Sequence, residues 1–440
     1  MKTTKRISVL AFAIVAFAAT MTTVSCQSKQ DKKSEQSKDT SFVFTTPKVI
    51  DMKSYFEKHY KGGDIATRDT SGILSLSDIT DDVEYVLLKA SNGKQEKFIR
   101  SAEHLFLCKD YIFVQEVDGI IQYDRQGNLI RTIGRKGAGP GEFNWVYTMV
   151  VDDNTKRIFI KTSGKINEYD FDGKFVRDIK STYDGKLMPL DSNRIAADVQ
   201  NLWYDVKERL VILNGKGEVE KSFPRYQLFE HTNYARTDSY TDRIPRLTKY
   251  HDVVCFNEAY NDTIFELKNN ELQMRYFVDW GKYALKPEYL IYENKEYAEK
   301  KQKCLWLKGF YETDRYIFMP EHIYPKTFVY DKKMDQIAEG SPTFFTRKYN
   351  KAYYDIFKQF ESGFYNDIDG GIALNVDEIS LDSKYVVSYC PASDVKDYFE
   401  EAGYGEQVLY PDKQAKLKAL VDTIDEDKHN LFIMMSKLKE

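Results

Sequence analysis

A strand–turn–strand unit recurs along this chain, and its rhythm is the strongest constraint on the fold. Short apolar or alternating runs are separated by turns rich in Asp, Asn, Gly and Lys, which is typical of β-hairpins. Each hairpin follows another pair of strands, so four strands return about every 45 to 65 residues. A β-propeller repeats such a four-strand unit, whereas a β-sandwich does not. The hairpins are IIQYDRQGNLIRTIG (120–134), INEYDFDGKFVRDI (166–179), RLVILNGKGEVEKSF (209–223), TIFELKNNELQMRYF (263–277) and TFVYDKKMDQIA (327–338).

A sixth copy near the C-terminus lacks one strand. Its parts are GGIALNV (370–376), KYVVSYC (384–390) and LFIMMSKL (431–438). The run VEYVLLK (83–89) has no unit of its own, so we expect it to supply the missing strand and close a ring. Closure removes the open sheet edges that invite aggregation. The prediction is an all-β fold: a six-bladed β-propeller whose N-terminal strand closes the last blade.

Two stretches interrupt the strand rhythm with helical spacing. They lie at about 286–305 and 393–429, and the second has an apolar stripe of Leu417, Leu420, Val421 and Ile424. We expect two small helical insertions that leave the blades through their connections. They either cover exposed sheet or take part in binding. The predicted propeller domain, with these insertions, spans residues 46–440.

The N-terminus has the pattern of an export signal. A basic start precedes the apolar run 7–19, which has signal-peptide length and is short for a membrane-spanning helix. We therefore predict a signal peptide over residues 1–25. Ser25-Cys26 resembles the lipobox of bacterial lipoproteins, in which the Cys becomes the lipidated first residue, although Thr23 stands where Leu is usual. Ordinary secretion with an incidental Cys26 is the alternative.

The segment after Cys26 is almost entirely polar. Its Lys, Gln, Ser and Asp side chains cannot bury apolar surface, so we predict a flexible tether over residues 26–45. The other cysteines have no CxxC spacing and lie in apolar runs, which favours buried thiols, although export would allow disulfides. They are Cys108, Cys255, Cys304 and Cys390.

Three phrases together resemble a known family. LSLSDITDDVEYVLL (74–88), QYDRQGNLIRTIGRKGAGPGEF (122–143) and NLFIMMSKLK (430–439) resemble the six-bladed β-propeller lipoproteins of Bacteroidetes, a group that is similar to NHL-type and TolB-like propellers. The resemblance implies a six-bladed fold and a cell-envelope location. It implies no reaction.

Sequence motifs for catalysis are lacking. The Gly-rich phrase IGRKGAGPGEF (133–143) has no Lys-Ser/Thr after its glycines and is flanked by strands, so we interpret it as a tight turn between blades rather than a phosphate loop. NDIDGGIALNVDE (366–378) has Ile372 where an EF-hand requires Gly. The six histidines have no zinc-site spacing. We therefore predict no metal site and no cofactor.

Aromatic residues near turns are the strongest indication of binding. Exposed rings stack on sugars or peptide side chains, and neighbouring cations can hold carboxylates. Each ring could equally pack between blades. The candidate ligand-binding residues are Arg135, Lys136, Trp145, Tyr147, Trp203 and Trp306.

The functional prediction is an exported, lipid-anchored binding or scaffolding protein at the periplasmic or outer surface of the cell envelope. It would recognise a peptide, glycan or protein partner on one propeller face, touch the membrane through Cys26, and be a monomer. A net charge of -4 argues against nucleic acid as a partner. The alternative is a propeller enzyme, a glycan or peptide lyase or hydrolase, with its site around the central channel. A weaker third hypothesis is TolB-like periplasmic signalling. An enzyme is less expected than a binding protein.

Replacing Cys26 with Ala tests the anchor. We expect Cys26→Ala to move the protein from the membrane fraction to the soluble fraction, because the acyl chains have no other attachment point. Fractionation of cells followed by immunoblotting measures the change. Membrane association that is unchanged in the variant would contradict lipidation.

Overall fold

The computed structural model describes most of the chain after residue 41. The described residues are 42–43, 45–60, 71–183, 185–199, 206–225, 246–258, 261–286, 304–321, 326–340 and 363–440. The predicted signal peptide, Cys26, Trp203 and most of the first helical insertion lie outside them.

The described residues form 28 strands and four α-helices. The helices are α1 (Met52–His59), α2 (Leu76–Ile79), α3 (Ala392–Ala402) and α4 (Pro411–Val421). The strands are β1 (Phe42–Val43), β2 (Lys48–Ile50), β3 (Glu84–Lys89), β4 (His104–Leu107), β5 (Tyr111–Glu116), β6 (Gly119–Asp124), β7 (Leu129–Ile133), β8 (Arg135–Lys136), β9 (Glu142–Phe143), β10 (Thr148–Asp152), β11 (Arg157–Thr162), β12 (Lys165–Asp170), β13 (Phe175–Lys180), β14 (Leu187–Pro189), β15 (Ile195–Asp198), β16 (Glu208–Leu213), β17 (Val219–Pro224), β18 (Leu247–Tyr250), β19 (Val253–Asn257), β20 (Thr263–Lys268), β21 (Glu271–Val278), β22 (Tyr311–Glu312), β23 (Tyr316–Glu321), β24 (Lys326–Asp331), β25 (Gln336–Gly340), β26 (Glu378–Ile379), β27 (Tyr385–Pro391) and β28 (His429–Lys437).

Six antiparallel sheets form the blades of a propeller, which confirms the predicted fold class. Blades 1 to 5 are β4–β7, β10–β13, β14–β17, β18–β21 and β22–β25, each in chain order from the axis outward. Blade 6 is β26–β27–β28–β3. In it, Ile433 of β28 pairs with Val86 of the N-terminal strand β3, as predicted for ring closure.

The strands have two buried faces because each blade packs between two neighbours. In β5, Ile112 and Val114 belong to the apolar cluster shared with blade 6. Phe113, between them, belongs to the cluster shared with blade 2. Successive side chains of a strand point to opposite faces. Continuous apolar runs such as residues 111–114 therefore fit the middle of a blade.

A side-chain-supported turn repeats between the third and fourth strands of blades 1 to 3. The Asp124 carboxylate accepts hydrogen bonds from the backbone N–H groups two and four residues later, at 2.9 and 2.8 Å. Asp170 and Asn214 accept the corresponding hydrogen bonds in blades 2 and 3. Such turns favour a glycine with positive φ. These glycines are Gly127, Gly173 and Gly217, with φ of 81°, 78° and 84°.

The innermost strand of blade 6 lies later in the chain than predicted. It is β26, whereas the sequence favoured residues 370–376. Asn366 accepts a hydrogen bond from the Asp369 N–H at 3.2 Å and donates one to its carboxylate at 2.8 Å. Such local hydrogen bonds compete with strand pairing. Ile372 and Leu374 consequently enter the core from a loop.

The N-terminal residues add to the outer edge of blade 4. Strands β1 and β2 both pair parallel with β21. The Thr45 hydroxyl also donates a hydrogen bond to the Met274 carbonyl, at 2.7 Å. Pairing thus begins at Phe42, inside the segment 26–45 that was predicted as a tether. These strands cover an edge that would otherwise present unpaired backbone groups.

Helices α3 and α4 lie between β27 and β28, within the second predicted insertion. Leu417, Val421 and Ile424 of the predicted stripe are buried, and Leu420 is partly buried. They share an apolar cluster with Phe399 of α3 and with blade 6. This helical pair is therefore packed onto the propeller.

The described cysteines form no disulfide. Three of them are buried in the core, as expected for thiols in apolar runs. They are Cys108, Cys255 and Cys390.

Alternating strand direction gives the disc two different faces. The inner strands begin on one face, which we call the upper face. It carries the connections between blades and those between second and third strands. The other face, the lower face, carries only short turns within blades 1 to 5. Long connections are where binding residues concentrate, so we expect a site on the upper face.

Leu88 tests the closing strand. We expect Leu88→Ala to lower the free energy of unfolding by about 2–5 kcal/mol, because this side chain is fully buried between β3 and blade 1. Leu409→Ala is the matched control, since that side chain is 57% exposed. Its effect should stay within about 0.5 kcal/mol. Urea denaturation followed by tryptophan fluorescence measures both. Equal effects would mean that the closing strand is not a stabilising contact.

Candidate functional site

The Gly-rich phrase forms the turn between blades 1 and 2, as predicted. Strands β8 and β9 pair at its base. The Glu142 carboxylate occupies the turn, accepting hydrogen bonds from the Gly139 N–H at 2.8 Å and from Arg135 Nε at 2.6 Å. A Cβ on Gly137 would lie 2.1 Å from Glu142 Oε2, so this position needs glycine. The protein's own carboxylate thus fills the place that an anion would take in a phosphate loop.

The two predicted cations of this turn are paired within the protein. Arg135 binds Glu142, and Lys136 Nζ lies 3.0 Å from Asp118 Oδ1. Asp118 also contacts Arg100 at 3.1 Å. These contacts hold the pKa of Asp118 below its usual range, chiefly through the Lys136 hydrogen bond. Because Arg135 and Lys136 each already have a carboxylate partner, they favour a neutral ligand over an acidic one.

Trp145 and Tyr147 form an exposed aromatic pair beside this turn, and we call them the aromatic platform. Trp145 is 56% exposed and Tyr147 is 51% exposed. Lys136 Nζ lies 5.5 Å from the centre of the indole ring, and Lys161 Nζ lies 5.7 Å from that of Tyr147. These cations orient the rings through cation–π contacts. The structure therefore brings four of the six predicted site residues together on the upper face.

Trp306 lies away from the platform, in the connection between blades 4 and 5. It is only 9% exposed, and Lys308 Nζ is 4.9 Å from its ring centre. Its environment is that of a packing residue. Trp203 lies outside the described residues.

Asp262 holds the same connection in place. Its Oδ1 accepts hydrogen bonds from Trp280 Nε1 at 3.0 Å and from the Leu307 N–H at 2.9 Å. Burial raises the pKa of Asp262 to about 7, against the opposing effect of these two hydrogen bonds. Its protonation state therefore changes near neutral pH.

A chain of three polar side chains crosses the upper end of the axial channel. Lys186 Nζ lies 2.9 Å from His104 Nε2, and His104 Nδ1 lies 2.9 Å from Glu378 Oε1. The side chains of His104 and Glu378 are 13% and 12% exposed. Tyr311 donates a hydrogen bond to the Asp377 carbonyl and contacts Glu378 Oε2 at 3.5 Å. We call Lys186, His104 and Glu378 the axial triad.

Sequence reasoning did not find the axial triad. Its members come from blades 1, 3 and 6 and are 82 to 274 residues apart. His104 and Glu378 are the first residues of inner strands, and Lys186 directly precedes one. Inner-strand starts meet at the axis of a propeller. Once a ring of blades is predicted, polar residues at the starts of inner strands indicate candidate site residues.

Below the axial triad, the channel contains a small cavity of about 140 Å³ with both apolar and polar walls. Tyr311 and Glu378 lie at its upper end, and lower-face turns line its mouth. A cavity of this size accommodates about one aromatic ring. The apolar walls are Phe106, Val150, Met188, Leu247 and Ile379.

Metal-ligand clusters and membrane-spanning helices are both absent from the described ranges. No three His, Cys, Asp or Glu side chains within those ranges are grouped so as to hold a metal ion. Among those same residues, no helix combines the length and apolarity required to cross a bilayer.

Comparison with known proteins places the chain in a family. Residues 64–437 match a domain of unknown function, DUF4934. The chain belongs to the DUF4934 family. No curated protein sequence matches this member of the family.

One solved structure shares the fold of this chain. A Bacteroides fragilis protein assigned as exported is 14% identical, with a TM-score of 0.62, over 84% of this chain and 98% of that one. A DUF4221 family member from Bacteroides vulgatus is 10% identical, with a TM-score of 0.42, over 82% and 97% of the two chains. The 14% identity of the Bacteroides fragilis protein shows a shared fold alone. For the DUF4934 chain, the lipoprotein assignment and the NHL-like or TolB-like relationship stay predictions.

The raised pKa of Asp262 predicts a pH-dependent stability. The folded state keeps the carboxyl protonated up to about pH 7, whereas the unfolded chain releases the proton near the ordinary aspartate pKa of 3.8. The folded state thus binds more protons between about pH 4 and 7, and its stability falls as pH rises through that window. Asparagine has no proton to release in this range, so Asp262→Asn removes this fall in stability. The variant therefore becomes more stable relative to wild type as pH rises from about 4 to 7.

Thermal melts between pH 4 and 8 measure the difference. Asp252→Asn, at an exposed turn residue, is the control and should track wild type at every pH. Parallel curves for wild type and Asp262→Asn would contradict the prediction.

Proposed function

We propose that this protein is an exported, lipid-anchored binding protein of the cell envelope that recognises a glycan on the upper face of its propeller. The aromatic platform carries the proposal. Two large rings, each more than half exposed, stand close in sequence on a connection that is otherwise held rigid by Glu142. Water-exposed aromatic surface has a cost in a folded protein, so grouped exposed rings point to a ligand.

The pairing of the two predicted cations beside the platform favours a sugar over an acidic peptide. Lys136 and Arg135 already have carboxylate partners. A neutral sugar ring can stack on the indole and phenol faces without displacing those partners.

The export and anchoring parts of the proposal rest on the N-terminus. The apolar run before Cys26, the Ser25-Cys26 pair and the polar segment after it have the order found in bacterial lipoproteins. The Bacteroides fragilis protein that shares the fold is also assigned as exported, which agrees with a location outside the cytoplasm.

The second candidate function, a propeller enzyme, has one supporting observation. In the axial triad, hydrogen bonds link a lysine to a histidine and the histidine to a carboxylate, at the upper end of the axial channel. The cavity below it is too small for a polymer, so a glycan or peptide chain would have to approach from the upper face.

Affinity gel electrophoresis tests glycan binding. The detergent-solubilised full chain is run through gels containing individual soluble polysaccharides, neutral and acidic. We expect retardation by at least one neutral polysaccharide. Trp145→Ala should weaken that binding about tenfold, a loss of about 1.4 kcal/mol. Tyr147→Ala should act in the same direction.

Tyr410→Ala is the matched control. Tyr410 is 45% exposed but lies beside α4, away from the platform. It should leave retardation unchanged. The glycan proposal is wrong if no polysaccharide retards wild type, or if all three variants bind equally. Retardation by acidic polysaccharides alone would contradict the preference for a neutral ligand.

A further inference from the structure

The axial triad has the hydrogen-bonding order of an activated nucleophile. An activated nucleophile lies within about 2.6–3.2 Å of a base, and a third group orients that base. Lys186 Nζ and His104 Nε2 are 2.9 Å apart, and Glu378 binds the opposite ring nitrogen at 2.9 Å. Three blades supply these groups, so the arrangement depends on the closed ring.

The protonation of His104 follows from its two partners. The Glu378 carboxylate only accepts hydrogen bonds, so Nδ1 of His104 carries the ring proton. Nε2 then has a free electron pair that accepts a hydrogen bond from Lys186. This is the tautomer that can receive a proton from the lysine, and the carboxylate stabilises the imidazolium that results.

Lys186 is incompletely hydrogen-bonded for a buried ammonium group. A protonated lysine has three N–H donors. Among the described residues, its only hydrogen-bond partner is His104, and no carboxylate lies within ion-pair distance. Taken as a whole, the residue is only partly buried. Two donor positions are therefore open to a ligand.

The surroundings of Lys186 favour the neutral amine. Burial lowers the pKa of Lys186, and the positive charge of Arg246 acts in the same direction. The carboxylates of Glu378, Asp198 and Glu103 oppose this effect but do not outweigh burial. A neutral amine has the free electron pair that nucleophilic attack requires.

We propose that Lys186 is the nucleophile of a second site, where its amine condenses with the carbonyl group of a small aldehyde or ketone to form an imine. This activity goes beyond glycan recognition and is independent of the aromatic platform. His104 acts as the base and acid, and Glu378 is a positioning residue that holds the imidazole.

The proposed condensation is balanced without any further reagent. The Lys186 ammonium gives a proton to His104 Nε2, which leaves the neutral amine, and the electron pair of its nitrogen forms a bond to the carbonyl carbon. The π pair moves to oxygen, which takes a proton from the nitrogen to give a carbinolamine. The imidazolium then protonates the hydroxyl, which leaves as water while the C=N bond forms. One ammonium and one carbonyl group give one protonated imine and one water.

Reductive trapping tests the proposal. The full chain is incubated at pH 7 with limiting glyceraldehyde and sodium cyanoborohydride, which reduces an imine to a stable secondary amine. Peptide mass spectrometry follows modification of Lys186 and of Lys416, an exposed lysine on α4 that serves as the internal reference. We expect Lys186 to react several-fold faster than Lys416, because His104 can take the proton of the lysine and leave the free amine.

Variants of His104 and Glu378 distinguish activation of Lys186 by the triad from simple accessibility of its amine. His104→Asn should reduce Lys186 labelling to the rate of Lys416, and Glu378→Gln should reduce it partly, because the amide still orients the ring but no longer balances its charge. Lys416 labelling in the same digest should not change. Circular dichroism melts confirm folding, and if His104→Asn does not fold, Glu378→Gln decides.

Two results would overturn the proposal. One is Lys186 reacting no faster than Lys416 in the folded wild type. The other is fast Lys186 labelling that persists unchanged in the folded variants, which would mean that the histidine and carboxylate do not activate it. Neither result bears on glycan retardation by the platform, so the two functions fail or succeed separately.

Discussion

The pairing of β3 with β28 is the contact that holds the ring of blades closed. It joins residues near the two ends of the described chain, with Val86 opposite Ile433 and Leu87 opposite Phe432. Without it, blade 6 would have three strands and the ring would have a free edge. With it, six inner strands surround one axis, and the positions of their first residues relative to one another are set.

Ring geometry gives the two faces of the disc different kinds of connection. The lower face consists of short turns in blades 1 to 5, several of them held by an Asp or Asn side chain such as Asp124. The upper face carries the connections between blades, which vary in length and composition. The aromatic platform and the axial triad both lie there. One lies on a connection between blades and the other at the axis, so they can serve different ligands.

Strand pairing within each hairpin could be predicted from the sequence, because it joins residues that are close along the chain. Alternation and the repeated Asp-Gly and Asn-Gly turns were sufficient to predict the blades, because strand pairing in a hairpin joins near neighbours. The prediction was wrong where local side chains competed with the pattern. Residues 370–376 have strand composition, yet Asn366 and Asp369 hold the chain in turns and β26 begins later.

In the candidate site, as in the fold, some features follow from the local sequence and others depend on tertiary packing. Arg135, Lys136, Trp145 and Tyr147 are close in sequence, so their grouping could be predicted from the Gly-rich turn alone. The exposure of each tryptophan could not be predicted from the sequence. Trp145 and Trp306 both lie in connections between blades, and only packing buries Trp306. Short-range pattern was likewise enough to predict the number of blades, the turn chemistry and the strand that closes the ring. The axial triad needed the folded chain: Lys186, His104 and Glu378 meet because three blades begin at one axis, and no spacing along the chain encodes a distance across it.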